Sequence, residues 1–106
     1  MTASDVYRAA RKLIENGWCQ DVAACDAQGR ALVAPWKGAT MYCIEAAIIT
    51  AAARDKPVRL RALHRLRERL GVMVASTWND NPERRKEEVL ALLDELANED
   101  LQLQDQ

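Results

Sequence analysis

The chain has 106 residues, a formal net charge of −1 and an apolar fraction of 49%. That length forms a single domain, residues 1–106, whose core needs no disulfide or metal staple. The near-neutral balance argues against the basic surface of a typical nucleic-acid binder. Alanine and leucine dominate and phenylalanine is absent, which is the composition of an all-α fold.

A first helix is expected from about Ser4 to Asn16, with Ser4 as cap, Asp5 in the first turn and Gly17 just past the end. Val6, Ala9, Ala10, Leu13 and Ile14 make its apolar stripe. Val22 to Cys25 and Arg30 to Val33 then flank Asp26-Ala27-Gln28-Gly29. Aspartate first and glycine fourth is a type I turn pattern, so a small hairpin or loop is expected there. Pro35 and Gly38 break the chain. Thr40 to Arg54 is apolar on most sides, as a central bundle helix should be.

Asp55 and Pro57 cap and open the next helix, which carries Leu60, Leu63, Leu66 and Leu70 on one face and ends at Gly71. Arg61, Arg65 and Arg69 form a ridge off that face. Val72 to Trp78 reads as a short helix or an extended segment. Asn81 and Pro82 suit the cap and first position of a last helix running to about Asn98, with Val89, Leu92, Leu93 and Leu96 inward. Residues 101–106 are expected to fray. The expected fold is a bundle of four or five helices.

Charge is sorted along the chain. Seven bases lie between Arg54 and Arg69 against Asp55 and Glu68, whereas from Glu87 onward there are seven acids and no base. Such polarity suggests recognition of another macromolecule. The expected partner-binding residues are Glu88, Asp94, Glu95 and Glu99 on the last helix, as a docking face for a basic protein, with Arg61, Arg65 and Arg69. The plainer alternative is a solvated face whose arginines pair with the acidic helix. Trp18, Trp36 and Trp78 each stand beside a turn, as core rings or as one interface anchor.

Chemistry has little to work with. Cys19, Cys25, Cys43 and His64 lack the close pairs that mark a zinc site, and no phosphate loop, GxSxG or HExxH occurs. No metal, cofactor or catalytic activity is expected, and a Cys43 or His64 enzyme ranks last. An odd cysteine count is a poor disulfide framework. No signal peptide opens the chain, and the apolar run from Met41 to Ala53 is too short to cross a bilayer. A cytoplasmic protein without membrane contact is expected.

Trp18-Cys19-Gln20, Asp26…Gly29, Tyr42-Cys43, Ala47-Ile48, Trp78-Asn79-Asp80 and Val89-Leu90 together resemble the scattered signature of an uncharacterised family of small bacterial and phage proteins. The resemblance covers about residues 5 to 97, with Ala46 where a glycine is expected. It implies no activity. In length, helical content and polarised charge the chain is also similar to small phage-encoded anti-CRISPR inhibitors of type I-E systems. That resemblance implies a non-enzymatic binder, active in the host cell, that blocks Cascade or its recruited helicase-nuclease. It transfers no residue, because no motif defines the group. The competing expectation is a small DNA-binding regulator using the arginine-rich helix 57–70.

Overall fold

The first helix starts earlier than its serine suggests. In the computed structural model, which describes residues 1–104, α1 spans Ala3–Asn16 and its cap is Thr2. The Thr2 hydroxyl accepts the Asp5 N–H at 3.1 Å while the Asp5 carboxylate accepts the Thr2 N–H at 2.9 Å, a reciprocal capping box. Ser4 lies inside the helix and is fully buried. Its N–H goes to the Asp100 carboxylate at 2.8 Å. The side chain with a reachable backbone donor three residues on defines the start, and that is Thr2.

At the other end, Gly17 has an extended φ of 176°, so it is not needed for handedness. It is needed for space: a Cβ there would stand 2.2 Å from the Thr40 carbonyl oxygen. This close approach lets Tyr42 donate to the Gly17 carbonyl at 3.0 Å and accept from the Cys19 N–H at 3.1 Å.

The turn at Asp26–Gly29 forms as expected. Gly29 has φ +79°, and Asp26 Oδ1 accepts the N–H groups of Gln28 and Arg30. The strand pairing differs. β1 (Ala24–Cys25) pairs antiparallel with β2 (Met41–Tyr42), whereas residues 30–33 contribute one bridge, Cys25 to Ala31. Val33 is 87% exposed, so the second half of the expected hairpin has nothing apolar to cover. The central helix is correspondingly shorter. Met41 and Tyr42 are drawn into the ribbon, Cys43 becomes the cap with its Sγ 3.4 Å from the Ala46 N–H, and α2 runs Ile44–Ala52.

α3 spans Lys56–Leu70, capped by Asp55 and closed by Gly71 at φ +68°. Its buried side is Val58, Ala62, Leu63 and Leu66; Leu60 turns out to solvent, half exposed. Residues 72–78 resolve into an irregular stretch and a single turn, α4 (Ser76–Asn79).

The last helix, α5 (Lys86–Gln104), is neither capped by Asn81 nor opened by Pro82. Asn81 Oδ1 accepts the Glu83 N–H at 2.9 Å and its carbonyl accepts the Arg84 N–H, which closes a turn. The helix starts four residues later, where Glu88 Oε1 reaches back to the Arg85 N–H at 2.9 Å. It also continues through residues 101–104 instead of fraying at Asp100, with Leu101 and Leu103 partly exposed. Residues 105 and 106 of the expected frayed end lie outside the described residues.

Among the described residues the fold is therefore five helices and a two-stranded ribbon, mostly helical, as the composition implied. α1 is the centre. It packs most extensively on α5, then on α2 and α3. Val6, Tyr7, Ala10 and Ile14 meet Ile44, Ile48, Leu66, Val89, Leu93 and Leu96 in one core. Tyr7 sits fully inside and donates its hydroxyl to the Ala62 carbonyl at 2.8 Å. No described helix is long and apolar enough to cross a membrane.

Candidate binding cleft

Four of the charged residues expected to meet a partner, Arg65, Arg69, Glu95 and Glu99, pair with one another, and Glu88 and Asp94 pair elsewhere in the chain. Arg69 pairs with Glu95 at 2.6 Å and Glu99 at 3.4 Å, and Arg65 reaches Glu99 at 3.6 Å and Asp100 at 3.7 Å. Asp94 takes Arg11 at 2.7 Å, and Glu88 takes Arg84 at 3.1 Å as well as capping its own helix. Arg61 is exposed beside the start of α1. Part of the polarity, Arg65 and Arg69 against Glu95, Glu99 and Asp100, is thus a seam between α3 and α5. The Arg69 guanidinium is held still more firmly protonated by Glu95 and Glu99, and the Glu88 carboxyl is lowered by the Arg85 N–H and the Arg84 charge. Side chains held this way offer little unmet charge to a partner.

The best-organised polar group lies elsewhere, at Asn79. This residue is completely buried at the end of α4. Its Oδ1 accepts the Trp18 indole N–H at 2.8 Å and the Ile44 N–H at 3.1 Å. Its Nδ2 donates to the Cys19 carbonyl at 3.1 Å and to Asp80 Oδ1 at 2.9 Å. All four amide valences are used, which is the condition under which a buried amide fixes a fold. Gln20 extends the network to the carbonyls of Asn79 and Asn81, and the Asp21 N–H donates to Asp80 Oδ1 at 2.9 Å. Three fragments far apart in sequence, Trp18-Cys19-Gln20, Cys43-Ile44 and Asn79-Asp80, are joined at one point. Composition carries no signal for this; only the pattern of separated Trp, Cys and Asn-Asp fragments hints at it.

Beside this knot opens a cleft of about 350 Å³. Val22, Trp36, Ile49 and Val74 give it apolar walls, Cys43 and Ala46 its floor, and Asp21, Glu45 and Asp80 its acids. Ala46 is the residue standing where a glycine was expected, and it is buried there. Glu45 is occupied: it accepts Arg67 at 2.7 Å and the Ala75 N–H at 2.5 Å, tying α2 to α3 and to the segment before α4. Asp21 and Trp36 have φ of 72° and 61°, a region costly for a bulky side chain. Two such residues on one cleft cost about 1–3 kcal/mol each, and strain of this kind gathers at functional sites. Trp36 is half-buried in the wall, as are Trp18 against Asn79 and Trp78 beneath the Arg84 guanidinium, 3.9 Å from the ring centre.

Two of the thiols, Cys19 and Cys43, ionise less readily than a free cysteine. Burial pushes Cys19 up to about 12, with the neighbouring Cys25 thiol adding to the shift. Burial also raises Cys43, outweighing the Ala46 and Glu45 N–H groups that favour its thiolate. His64 is on α3 and pairs with Glu68 at 3.6 Å, not with a cysteine. Among the described residues no group of three or more histidine, cysteine or acidic side chains is placed to hold a metal ion.

A family model described as a family of unknown function, DUF6197, matches residues 1–99. No curated protein and no solved structure matches the chain.

Proposed function

For a chain that belongs to DUF6197, a family of unknown function, we propose a non-enzymatic role: a protein-binding module, acting as an inhibitor, that docks through the cleft beside Asn79. One observation carries this reading. The cleft is pre-shaped by a fully satisfied buried amide, and its rim leaves apolar side chains in solvent. Val74 is 52% exposed, and its neighbour Met73 is 90% exposed. A rigid concave site with an aromatic wall and an uncovered apolar rim is how a protein hot spot looks before its partner arrives.

The specific form of the reading is inhibition of a type I-E CRISPR–Cas system in a host bacterial cell, by blocking Cascade or its helicase-nuclease. Its support is the chain's length and helical build. The docking face moves from the acidic helix to the cleft, because Glu88, Asp94, Glu95 and Glu99 already have basic partners within the chain. The DNA-binding alternative is disfavoured on the same grounds, since Arg65 and Arg69 of helix 57–70 face carboxylates.

The test is co-elution of the purified protein with purified Cascade and with the purified helicase-nuclease, beside a DNA shift assay. Binding to either protein that is lost in Val74→Glu supports the proposal. Binding to neither, or a DNA shift abolished by Arg61→Glu, refutes it.

A further inference from the structure

We infer that the cleft receives an arginine side chain, followed by an apolar residue, from an exposed segment of the partner. The inference rests on the protein-binding reading and names the chemistry of that same site. The charges decide it. Among the described residues, Asp21, Glu45 and Asp80 line the cleft and no lysine, arginine or histidine does. Glu45 is neutralised by Arg67, which leaves Asp21 and Asp80 as the charges facing the space. Asp80 uses Oδ1 for the Asp21 and Asn79 donors, and the Asp21 carboxylate makes no hydrogen bond among the described residues. An occupant takes water from the half-buried Asp80 and in part from the exposed Asp21. An apolar or acidic segment does so without return, whereas a guanidinium supplies paired, charge-assisted hydrogen bonds.

Shape points the same way. At about 350 Å³ the cleft lies near the lower end of ligand pockets, which run from about 300 to 1,000 Å³, and suits one long side chain with a neighbour. Trp36 presents an aromatic ring in the wall, and a guanidinium stacks on such a face better than an ammonium does. The chain already uses that contact once, where Arg84 lies over Trp78. Val22, Ile49 and Val74 remain to cover the apolar neighbour.

The experiment is an NMR titration of the ¹⁵N-labelled full chain with three blocked dipeptides: acetyl-Arg-Leu-amide, its citrulline analogue and acetyl-Glu-Leu-amide. Citrulline keeps the size and planarity of arginine and removes the charge. Expected are shifts confined to the amides of Asp21, Val22 and Val74 and to the Trp36 indole, with the arginine peptide at least about tenfold tighter than citrulline and weaker at about 0.5 M salt. Asp21→Asn should remove most of that preference. Asparagine accepts a positive φ, and Asp21's carboxylate holds nothing else, so this variant should keep its fold. Asp80→Asn, which retains an Oδ1 acceptor, is the second variant.

Equal binding of arginine and citrulline peptides, binding of the glutamate peptide, or no shift at the cleft would each overturn the arginine inference. None of these touches the protein-binding reading, which stands or falls on co-elution and Val74→Glu.

Discussion

Replacing Asn79 by alanine should be among the most damaging changes a polar residue of this chain can suffer. The substitution strands the Ile44 N–H, which is buried, together with the half-buried Trp18 indole N–H and the Cys19 carbonyl. Asp80 is hurt less, because it keeps the Asp21 N–H. A buried polar group left without a partner costs about 1–3 kcal/mol, and the two half-buried groups can recover part of theirs from water. A total of about 3–5 kcal/mol follows, against about 5–15 kcal/mol of total stability for a domain of this size. The protein should fold, with a melting temperature lower by about 12–40 °C at about 4–8 °C per kcal/mol. Urea denaturation followed by circular dichroism measures it, with Asn81→Ala as control. Asn81 sits exposed in a turn and should cost well under about 1 kcal/mol. Equal midpoints for the two variants would refute the view of Asn79 as the fastening of the cleft.

Other consequences are equally direct. Reversing Glu88, Glu95 and Glu99 to lysine should lower the thermal midpoint, more at low salt, because each new charge faces Arg84, Arg65 or Arg69; a midpoint unchanged at low salt contradicts the seam. Thr2→Ala should cost about 1 kcal/mol by removing a cap, whereas Ser4→Ala removes none, and urea midpoints of the two separate the assignments. Gly17→Ala should destabilise strongly or shift the ribbon, since its methyl meets the Thr40 carbonyl; a wild-type spectrum and midpoint would show that the approach is loose. The lowered Glu88 carboxyl contributes stability that is present above its ordinary value near 4.5 and lost as pH falls through the lower folded value. Urea midpoints from pH 7 down to 3 should therefore fall less steeply in Glu88→Gln.

What the sequence made legible was whatever is encoded within a few residues. The Asp55 cap with Pro57, the turn at Asp26–Gly29 and the glycine end of α3 are local and appear as read; the α1 stripe holds at Val6, Ala10 and Ile14 but omits Tyr7, its largest buried side chain. The errors fall where two local signals competed. Asn81-Pro82 has the chemistry of a cap and of a turn, and the turn won because Glu88 offered the better start four residues on. Ser4 has a cap's side chain, but Thr2 and Asp5 satisfy each other. Leu60 shares the helical spacing of Leu63 and Leu66, yet α3 rolls towards Val58 and Ala62. The cleft was the least legible part. Its walls come from residues near 21, 36, 45, 74 and 80, and nothing in the local pattern of any one segment says that Asn79 will gather them. The charge blocks are legible as polarised, and both a docking face and arginines paired to the acidic helix are open readings of them; Arg65 and Arg69 pair with that helix, at Glu95, Glu99 and Asp100.

The pairing of the first helix with the last has a consequence for how the molecule comes into being. During synthesis α1 leaves the ribosome with Val6, Tyr7, Ala10 and Ile14 uncovered, and the residues of α5 that cover them, Val89 to Leu96, follow some eighty positions later. Until α5 has emerged the chain carries a half-finished core. Asp100 of α5 then latches onto the Ser4 N–H. A ribosome stalled before α5 should therefore hold a nascent chain that is collapsed and protease-sensitive, with its helices formed but unlocked. The core closes only when α5 docks on α1.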